Sequence, residues 1–397
     1  MNHRFVLFLI LGIDAFILFF QTSSLSISHA ESMILYGDIS FLQLVIKTSI
    51  YFFGSNDFAL RLPMIIFHLL SALLLYKVSK KHVPNNKNRL WLIFVFVLLP
   101  GVISSAIIVE SAGMVIFGLL FFVYAYENFS RKFIYLILGI YVLIGGEFVY
   151  LFLALSIFSI YTKQRTFFIF NMFAFFTSLF LYGVDTTGLP QGHFLDTIAV
   201  YTAIFTPIIF IYIFYILYRR YLTKQIDILW FIASIAFVFS LLLSFRQRIE
   251  LEDFAPYLIL ALPLAAQTFC HSYRVRLKMF RTKYKVAFAI SLIMLVLNSL
   301  VVFFNKEIYI LIDKPQNHFA YNMHVAKELA YELKNRGIEC VDTDYKMASR
   351  LKFYGVTNCN TNILTEKSLK DKNKKNVTIS YSNRAVYKAY VTKVNTN

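Results

Sequence analysis

Side chains that could bind a phosphate group and accept a proton lie together in one long polar loop of the sequence. Residues 21–62 separate two apolar runs and contain His29, Glu31, Lys47 and Arg61. Arginine and lysine bind phosphate oxygens, and a carboxylate can act as a general base. The loop therefore has the residue types for chemistry on an anionic substrate, with Glu31 as the candidate base and His29 beside it. The alternative is that these are solvated loop charges.

Two further loops carry residues of the same kind. Glu110 lies between two apolar runs and is a third candidate catalytic residue, although it could equally cap a helix end. One histidine and one carboxylate at 29–31 are too few ligands to predict a metal site, so the cofactor stays unknown and a divalent metal stays open. The candidate ligands of a substrate phosphate are Arg246, Arg248, Arg61 and Lys47.

Apolar runs of membrane-spanning length separate these loops. The chain has 397 residues, of which 58% are hydrophobic and 15% charged, which is far from the average soluble domain. The runs have about 15–20 residues, the length with which a helix crosses roughly 30 Å of hydrocarbon. We predict an α-helical polytopic membrane protein with about eleven transmembrane helices. They lie near 5–20, 63–79, 90–104, 111–126, 133–146, 148–161, 166–183, 197–218, 226–244, 254–271 and 286–304.

The distribution of basic residues predicts the orientation of these helices. If the N-terminus is cytoplasmic, the cytoplasmic joints before residue 305 hold 19 Lys and Arg residues and the outer joints hold four. This is the asymmetry of the positive-inside rule. The formal charge of +17 is then mostly a topology signal, and no nucleic-acid partner is expected. We predict a multi-pass protein of the bacterial inner membrane with loop 21–62 on the outer face.

The composition changes near residue 305 to that of a globular domain. We predict a transmembrane domain over 1–304 and a small periplasmic α/β domain over 305–397. Cys340 and Cys359 could pair in an oxidising compartment or remain two thiols. A basic surface tract covers 367–375. The expected strands are 308–312, 338–341 and 377–381, and the expected helices are 322–335 and 345–354.

An ionisable residue also falls inside the first apolar run. An acid at that depth is costly and marks a functional position or a buried pair. Asp14 is this residue, and His68 is a conceivable hydrogen-bond partner.

Several segments resemble the GT-C superfamily of membrane glycosyltransferases, in the branch that contains the protein O-mannosyltransferases and the lipid A aminoarabinose transferases. Tyr51–Pro63, with its Arg61-Leu62-Pro63 end, is similar to the stretch that closes the first outer loop of that branch. Leu99–Ala112 resembles a hairpin with an acid at its outer end, where this chain has Glu110. Arg246–Pro256 resembles a late basic loop. Ala326–Leu333 and Leu351–Gly355 resemble parts of the outer tail.

The resemblance implies a transferase that moves a sugar from a polyprenyl-phosphate-linked donor to a lipid, glycan or protein acceptor. Transfer would occur on the outer face and invert the anomeric carbon. Glu31 would take the acceptor proton, His29 would orient Glu31 or bind the acceptor, and Arg246 and Arg248 would hold the phosphate, with Arg61 as a further phosphate ligand. The family commonly has two acids soon after the first helix, whereas the stretch Ser26–Ser32 has Glu31 alone.

Two other functions are compatible with the same pattern. One is a transporter or exporter of lipid-linked saccharides, although no repeated halves are visible in the sequence. The other is a non-catalytic membrane assembly protein, in which the acids are ordinary loop residues. Replacement of Glu31 separates an enzyme from both.

Overall fold

The apolar runs of the sequence form helices in the structure, a computed structural model that describes residues 3–183, 192–366, 374–381 and 384–393. Helices in the first half are α1 (His3–Ser24), α2 (His29–Tyr36), α3 (Phe41–Phe53), α4 (Asp57–Val78), α5 (Asn86–Val97), α6 (Pro100–Ile107), α7 (Ser111–Asn128), α8 (Arg131–Ile144), α9 (Val149–Tyr161) and α10 (Arg165–Tyr182). Those that follow are α11 (Phe194–Phe205), α12 (Pro207–Leu222), α13 (Ile228–Ser244), α14 (Ala255–Leu258), α15 (Leu262–Val275), α16 (Arg281–Phe303), α17 (Ala326–Asn335) and α18 (Tyr345–Phe353).

Two of the predicted apolar runs are broken by proline. The run near 90–104 becomes α5 and α6, which meet at 62° at Pro100. The run near 197–218 becomes α11 and α12, which meet at 107° at Pro207, after Thr206 with a φ of 64°. Proline lacks the amide hydrogen and clashes with the preceding turn, so a helix restarts there as a new first turn.

Five helices of the described ranges are long and apolar enough to cross a membrane. The number rises to eight if each of three bent helix pairs is one span, and the shorter apolar stretches Gly146–Tyr161 and Ile228–Ser244 come in addition. The chain is therefore a polytopic, mainly helical membrane protein. The number of eleven spans and the orientation remain predictions.

The chain divides into two compact units. Unit 1 comprises Met1–Phe16 and Met64–Ser299, and unit 2 comprises Ile17–Pro63 and Leu300–Asn397. The first loop of the sequence thus belongs to the same unit as the C-terminal segment.

Unit 1 is a helical bundle with a continuous apolar core. Two of the large buried hydroxyl groups inside it find hydrogen-bond partners within the bundle, as most buried polar groups do. The Tyr141 hydroxyl donates to the Gly118 carbonyl at 2.7 Å, and the Tyr201 hydroxyl lies 2.9 Å from the Ser240 hydroxyl. Asp14 and His68 form the expected buried pair, with 2.7 Å between the Asp14 carboxylate and His68 Nε2.

The first loop contributes two helices to unit 2 where the sequence suggested an irregular polar segment. Ser28 and Glu31 form a capping box at the start of α2, and the Ser40 side chain caps α3 by accepting from the Gln43 amide. These bonds satisfy amide groups that a helix start leaves without partners. The motif Ser-x-x-Glu at 28–31 was a visible signal for α2.

The C-terminal part of unit 2 packs two helices on an antiparallel sheet. Strands β1 (Asn362–Thr365), β2 (Lys374–Tyr381) and β3 (Arg384–Lys393) are ordered β1-β3-β2, with Ile363 opposite Thr392 and Val377 opposite Ala389. Leu329, Leu351 and Val391 are among the residues of its core. The Cys340–Cys359 disulfide is formed.

Two predicted strands of this segment were wrong. Residues 308–312 form a 3-10 turn, Glu307–Ile310, because Tyr309 is drawn into a buried cluster with His318 and His324. Residues 338–341 make only the isolated bridge between Cys340 and Thr357. Helices α17 and α18 and the strand at 377–381 are confirmed. Most of the basic tract 367–375 lies outside the described residues.

Candidate functional site in unit 2

The candidate base Glu31 is the centre of a buried ion pair. It lies in the first turn of α2, where its carboxylate Oε2 accepts from the Ser28 amide at 2.8 Å. The same oxygen accepts from Arg61 Nη2 at 3.0 Å, and neither side chain has any exposed surface. A buried charge is tolerated when it is paired and hydrogen-bonded, and both conditions hold here.

Arg61 holds the loop backbone as well as Glu31. Its Nη1 and Nη2 atoms donate to the carbonyls of Leu25 at 3.2 Å and Ser26 at 3.0 Å. Asp57, one helical turn earlier on α4, places Oδ1 3.9 Å from Arg61 Nη1. The terminal guanidinium nitrogens are thus both engaged with protein oxygens, a use for which the planar fork of arginine is suited.

Asp57 joins the ion pair to the C-terminal segment. Its Oδ1 accepts from the Tyr354 hydroxyl at 2.6 Å, and its Oδ2 lies 2.8 Å from Lys327 Nζ. Burial and then the neighbouring Asp57 charge raise the pKa of Tyr354, so this hydroxyl keeps its proton and remains a donor. Asp57 also lies in the first turn of α4, where the helix dipole favours a negative charge.

Arg350 and Tyr354 fix the backbone that leads into α2. Arg350 Nε donates to the Ile27 carbonyl at 2.8 Å, and its Nη2 donates to the His324 carbonyl. The Tyr354 hydroxyl accepts from the Ile27 amide at 2.9 Å, and the Ser26 amide donates to the Met323 carbonyl at 2.9 Å. The segment that carries Glu31 is therefore positioned by residues that follow it by about 300 positions in the sequence.

His29 and Lys47 lie elsewhere in unit 2. His29 Nδ1 lies 3.3 Å from the Ser349 hydroxyl, and its ring meets Tyr345 edge-on at 5.8 Å. It is half-buried and has a different set of partners from Glu31, although both belong to α2. Lys47 is exposed on α3.

The other three candidate residues belong to unit 1. Glu110 is the N-cap residue of α7, but its side chain makes no capping bond. Arg246 and Arg248 are exposed in the segment that follows α13. Within the described part of the chain, no group of three or more His, Cys, Asp and Glu side chains could hold a metal ion.

Sequence analysis missed four members of the site, which are Asp57, Lys327, Arg350 and Tyr354. Asp57, Lys327 and Tyr354 do lie in segments on which the family resemblance rests, so this signal was available. Arg350 is an ordinary residue of an amphipathic helix in the sequence, and only the fold brings it to the loop.

The comparison with solved structures agrees with the resemblance found in the sequence. The crystal structure of ArnT from Cupriavidus metallidurans bound to undecaprenyl phosphate matches with a TM-score of 0.61 and 11% identity, over 100% of this chain and 99% of that chain. The chain has the fold of ArnT. The predicted GT-C resemblance is thereby confirmed for the fold. No protein-family model matches the chain, and no curated protein matches it.

Proposed function

We propose that the chain is a membrane glycosyltransferase that moves a sugar from a polyprenyl-phosphate-linked donor to an acceptor on the outer face of the bacterial inner membrane. The observation that carries the proposal is the buried Glu31–Arg61 pair in the first loop, within a fold that matches ArnT along the whole chain. That neighbour was crystallised with undecaprenyl phosphate, a lipid of the proposed donor class.

Glu31 is the proposed general base. The acceptor oxygen or nitrogen attacks the anomeric carbon while its proton passes to the Glu31 carboxylate. The bond between the anomeric carbon and the phosphate oxygen breaks, and its electron pair stays on the phosphate. A single displacement of this kind inverts the anomeric carbon. His29 remains a candidate for orienting Glu31 or binding the acceptor, and Glu110 remains an alternative catalytic residue.

Arg61 is better placed to position Glu31 than to bind phosphate. Its two terminal nitrogens already donate to Glu31, Leu25 and Ser26, so they are engaged with protein oxygens. We therefore assign the donor phosphate to Arg246 and Arg248, which are exposed, with Lys47 as a further candidate. Their charge would stabilise the negative charge that develops on the leaving phosphate.

The first test is transfer from a radiolabelled polyprenyl-phosphate sugar pool in membranes that contain Glu31→Gln. Glutamine keeps the capping box but cannot accept the proton, so we expect a loss of transfer of about 100-fold or more, the usual scale for a general base. Glu127→Gln is the matched control, since Glu127 pairs with Lys81 at 3.4 Å in unit 1 and has no proposed role. Transfer at the wild-type rate in Glu31→Gln would overturn the assignment of the base.

A further inference from the structure

An amphipathic groove lies in unit 1, and none of the residues assigned to sugar transfer lines it. It has a volume of about 870 Å³ and is lined by residues of α5, α12, α15 and α16. Its side walls bring together Trp91, Phe269 and Phe288, with ring centroids 5.6 Å apart for Trp91–Phe288 and for Phe269–Phe288. A cavity of this size and lining can hold the chain of an amphiphile.

Helix α16 forms one wall of the groove with little support from the rest of the protein. Only 11% of the most apolar part of Lys278–Phe303 is buried inside the protein, compared with 56% for the same part of Asp57–Val78. Its Leu295 is buried, and its Ser299 hydroxyl donates to the Leu98 carbonyl at 2.9 Å. Toward the start of α16, Tyr284 and Phe288 contact Phe269, and Phe288 also contacts Trp91.

The same end of the groove is basic. Arg274, Arg281 and Lys285 line it, and none of its lining residues within the described chain is acidic. Arg281 is oriented by its own backbone surroundings, because its Nε donates to the Arg276 carbonyl at 2.8 Å and its Nη2 to the Arg274 carbonyl at 3.0 Å. Three cations without a lining acid are complementary to an anionic headgroup at the mouth of an apolar cleft.

We propose that this groove binds one anionic glycerophospholipid, with its phosphate at Arg274, Arg281 and Lys285 and an acyl chain between α16 and the aromatic walls. The basic joint before α16 is one that the charge asymmetry places on the cytoplasmic side, where membrane leaflets are anionic. A bound lipid would supply the packing that α16 lacks. The site goes beyond the proposed function, because it uses none of the residues assigned to the sugar donor or to the base.

Cys270 gives a direct readout, because it lines the groove and is the free cysteine among three. The experiment places the full chain in nanodiscs of phosphatidylcholine with increasing phosphatidylglycerol and measures the rate at which a maleimide modifies Cys270. We expect the rate to fall about tenfold as phosphatidylglycerol fills the groove. Arg274→Gln and Lys285→Gln should each raise the phosphatidylglycerol content needed for half protection about fivefold.

Two controls separate a specific site from bulk surface charge. Lys283→Gln removes the same charge from the same joint but does not line the groove, so its titration should match that of the wild type. Ala266→Trp fills the groove, and Cys270 should then be slow to react in phosphatidylcholine alone.

Three results would overturn the proposal. The first is equal protection by the two phospholipids, which would mean that the headgroup is not recognised. The second is a Lys283→Gln shift as large as that of Arg274→Gln. The third is stronger protection by a polyprenyl phosphate than by phosphatidylglycerol at equal mole fraction, which would make the occupant a donor-type lipid.

Discussion

Two buried acid–base pairs, one in each unit, differ in the chemistry of the basic partner. Glu31 in unit 2 is paired with an arginine, whereas Asp14 in unit 1 is paired with a histidine. Arginine stays charged in proteins. Arg61 is therefore a permanent buried cation, and an acid must neutralise it. Histidine can be neutral, and His68 can bond to Asp14 without leaving a bare charge if the acid is lost.

The basic residue also has more hydrogen-bond partners in the Glu31 pair than in the Asp14 pair. Arg61 donates to two loop carbonyls in addition to Glu31, and Asp57 nearby is bound by Tyr354 and Lys327. His68 Nδ1 is buried without a hydrogen-bond partner among the described residues, and its ring stacks on Phe96 at 5.7 Å. The Glu31 pair therefore orders a loop, whereas the Asp14 pair joins two helices. The Glu31 pair holds a loop carboxylate in one position, which suits a catalytic group.

Arg61→Met should have the largest effect on stability. It leaves Glu31 buried without its cation and frees the carbonyls of Leu25 and Ser26, and breaking a buried pair from one side costs about 3–5 kcal/mol. The thermal unfolding of the purified full chain in detergent measures the loss. Lys81→Met, which removes an exposed partner of Glu127, is the control and should change the midpoint little. An unchanged midpoint in Arg61→Met would mean that the pair does not order the loop.

Acid should destabilise unit 2 through His324. Burial, together with the charges of Lys306 and Arg350, lowers the pKa of His324 from 6.5 to about 3. Since the unfolded chain binds this proton more readily, the stabilisation is complete above pH 6.5 and is lost as the pH falls toward 3. About 3 kcal/mol should be lost by pH 4.5.

The matched variant for this pH prediction is His324→Gln. Glutamine does not titrate in this range, so thermal unfolding of the variant should depend less on pH between 6.5 and 4.5 than that of the wild type. Parallel pH profiles for the two proteins would show that another group dominates acid unfolding.

Tyr354→Phe should have an intermediate effect. It removes the hydroxyl that donates to Asp57 at 2.6 Å and accepts from the Ile27 amide, and a hydrogen bond to a charged group contributes about 2 kcal/mol. Lys327 still neutralises Asp57, which keeps the loss below that of Arg61→Met. Limited proteolysis of the 21–28 segment, compared between the variant and Tyr345→Phe, measures whether the loop is released. Equal cleavage in both variants would contradict this role of Tyr354.

Asp14→Asn should have the smallest effect, about 1 kcal/mol, because the asparagine oxygen can still accept from a neutral His68. Thermal unfolding of the purified full chain measures this loss of stability. A loss as large as that of Arg61→Met would show that His68 is charged in the folded protein, and the contrast between the two pairs would disappear.

The sequence predicted the helices and the candidate charged residues, but it did not predict which helices break or which charged side chains contact one another. Apolar runs are local signals, and each of them contains a helix. The breaks at Pro100 and Pro207 were also visible, yet whether a proline kinks or breaks an apolar run depends on packing. The pairing of Asp14 with His68 could be proposed from the sequence because few ionisable residues lie within the apolar runs.

The contacts of Glu31 were beyond sequence reasoning because they are long-range. Arg61 is 30 positions away and Arg350 more than 300, and among many loop charges no pattern selects these two. The same holds for the strand predicted at 308–312. Its continuous run of apolar and aromatic residues fits a strand, but the Tyr309 hydroxyl is instead hydrogen-bonded to the His324 ring, with 2.9 Å between the hydroxyl oxygen and Nδ1.

Whether Glu31 is the catalytic base held by Arg61 is tested by comparing Glu31→Gln with the double variant Glu31→Gln/Arg61→Met. The double variant removes both buried charges, so it should recover the part of the stability that Glu31→Gln loses by leaving Arg61 unpaired, while the carbonyls of Leu25 and Ser26 lose their donor. Thermal unfolding and sugar transfer are measured on the same membranes. If Glu31 is the base, this part of the stability returns and transfer does not. Transfer that returns together with stability would show that the pair serves only the fold and that the base lies elsewhere.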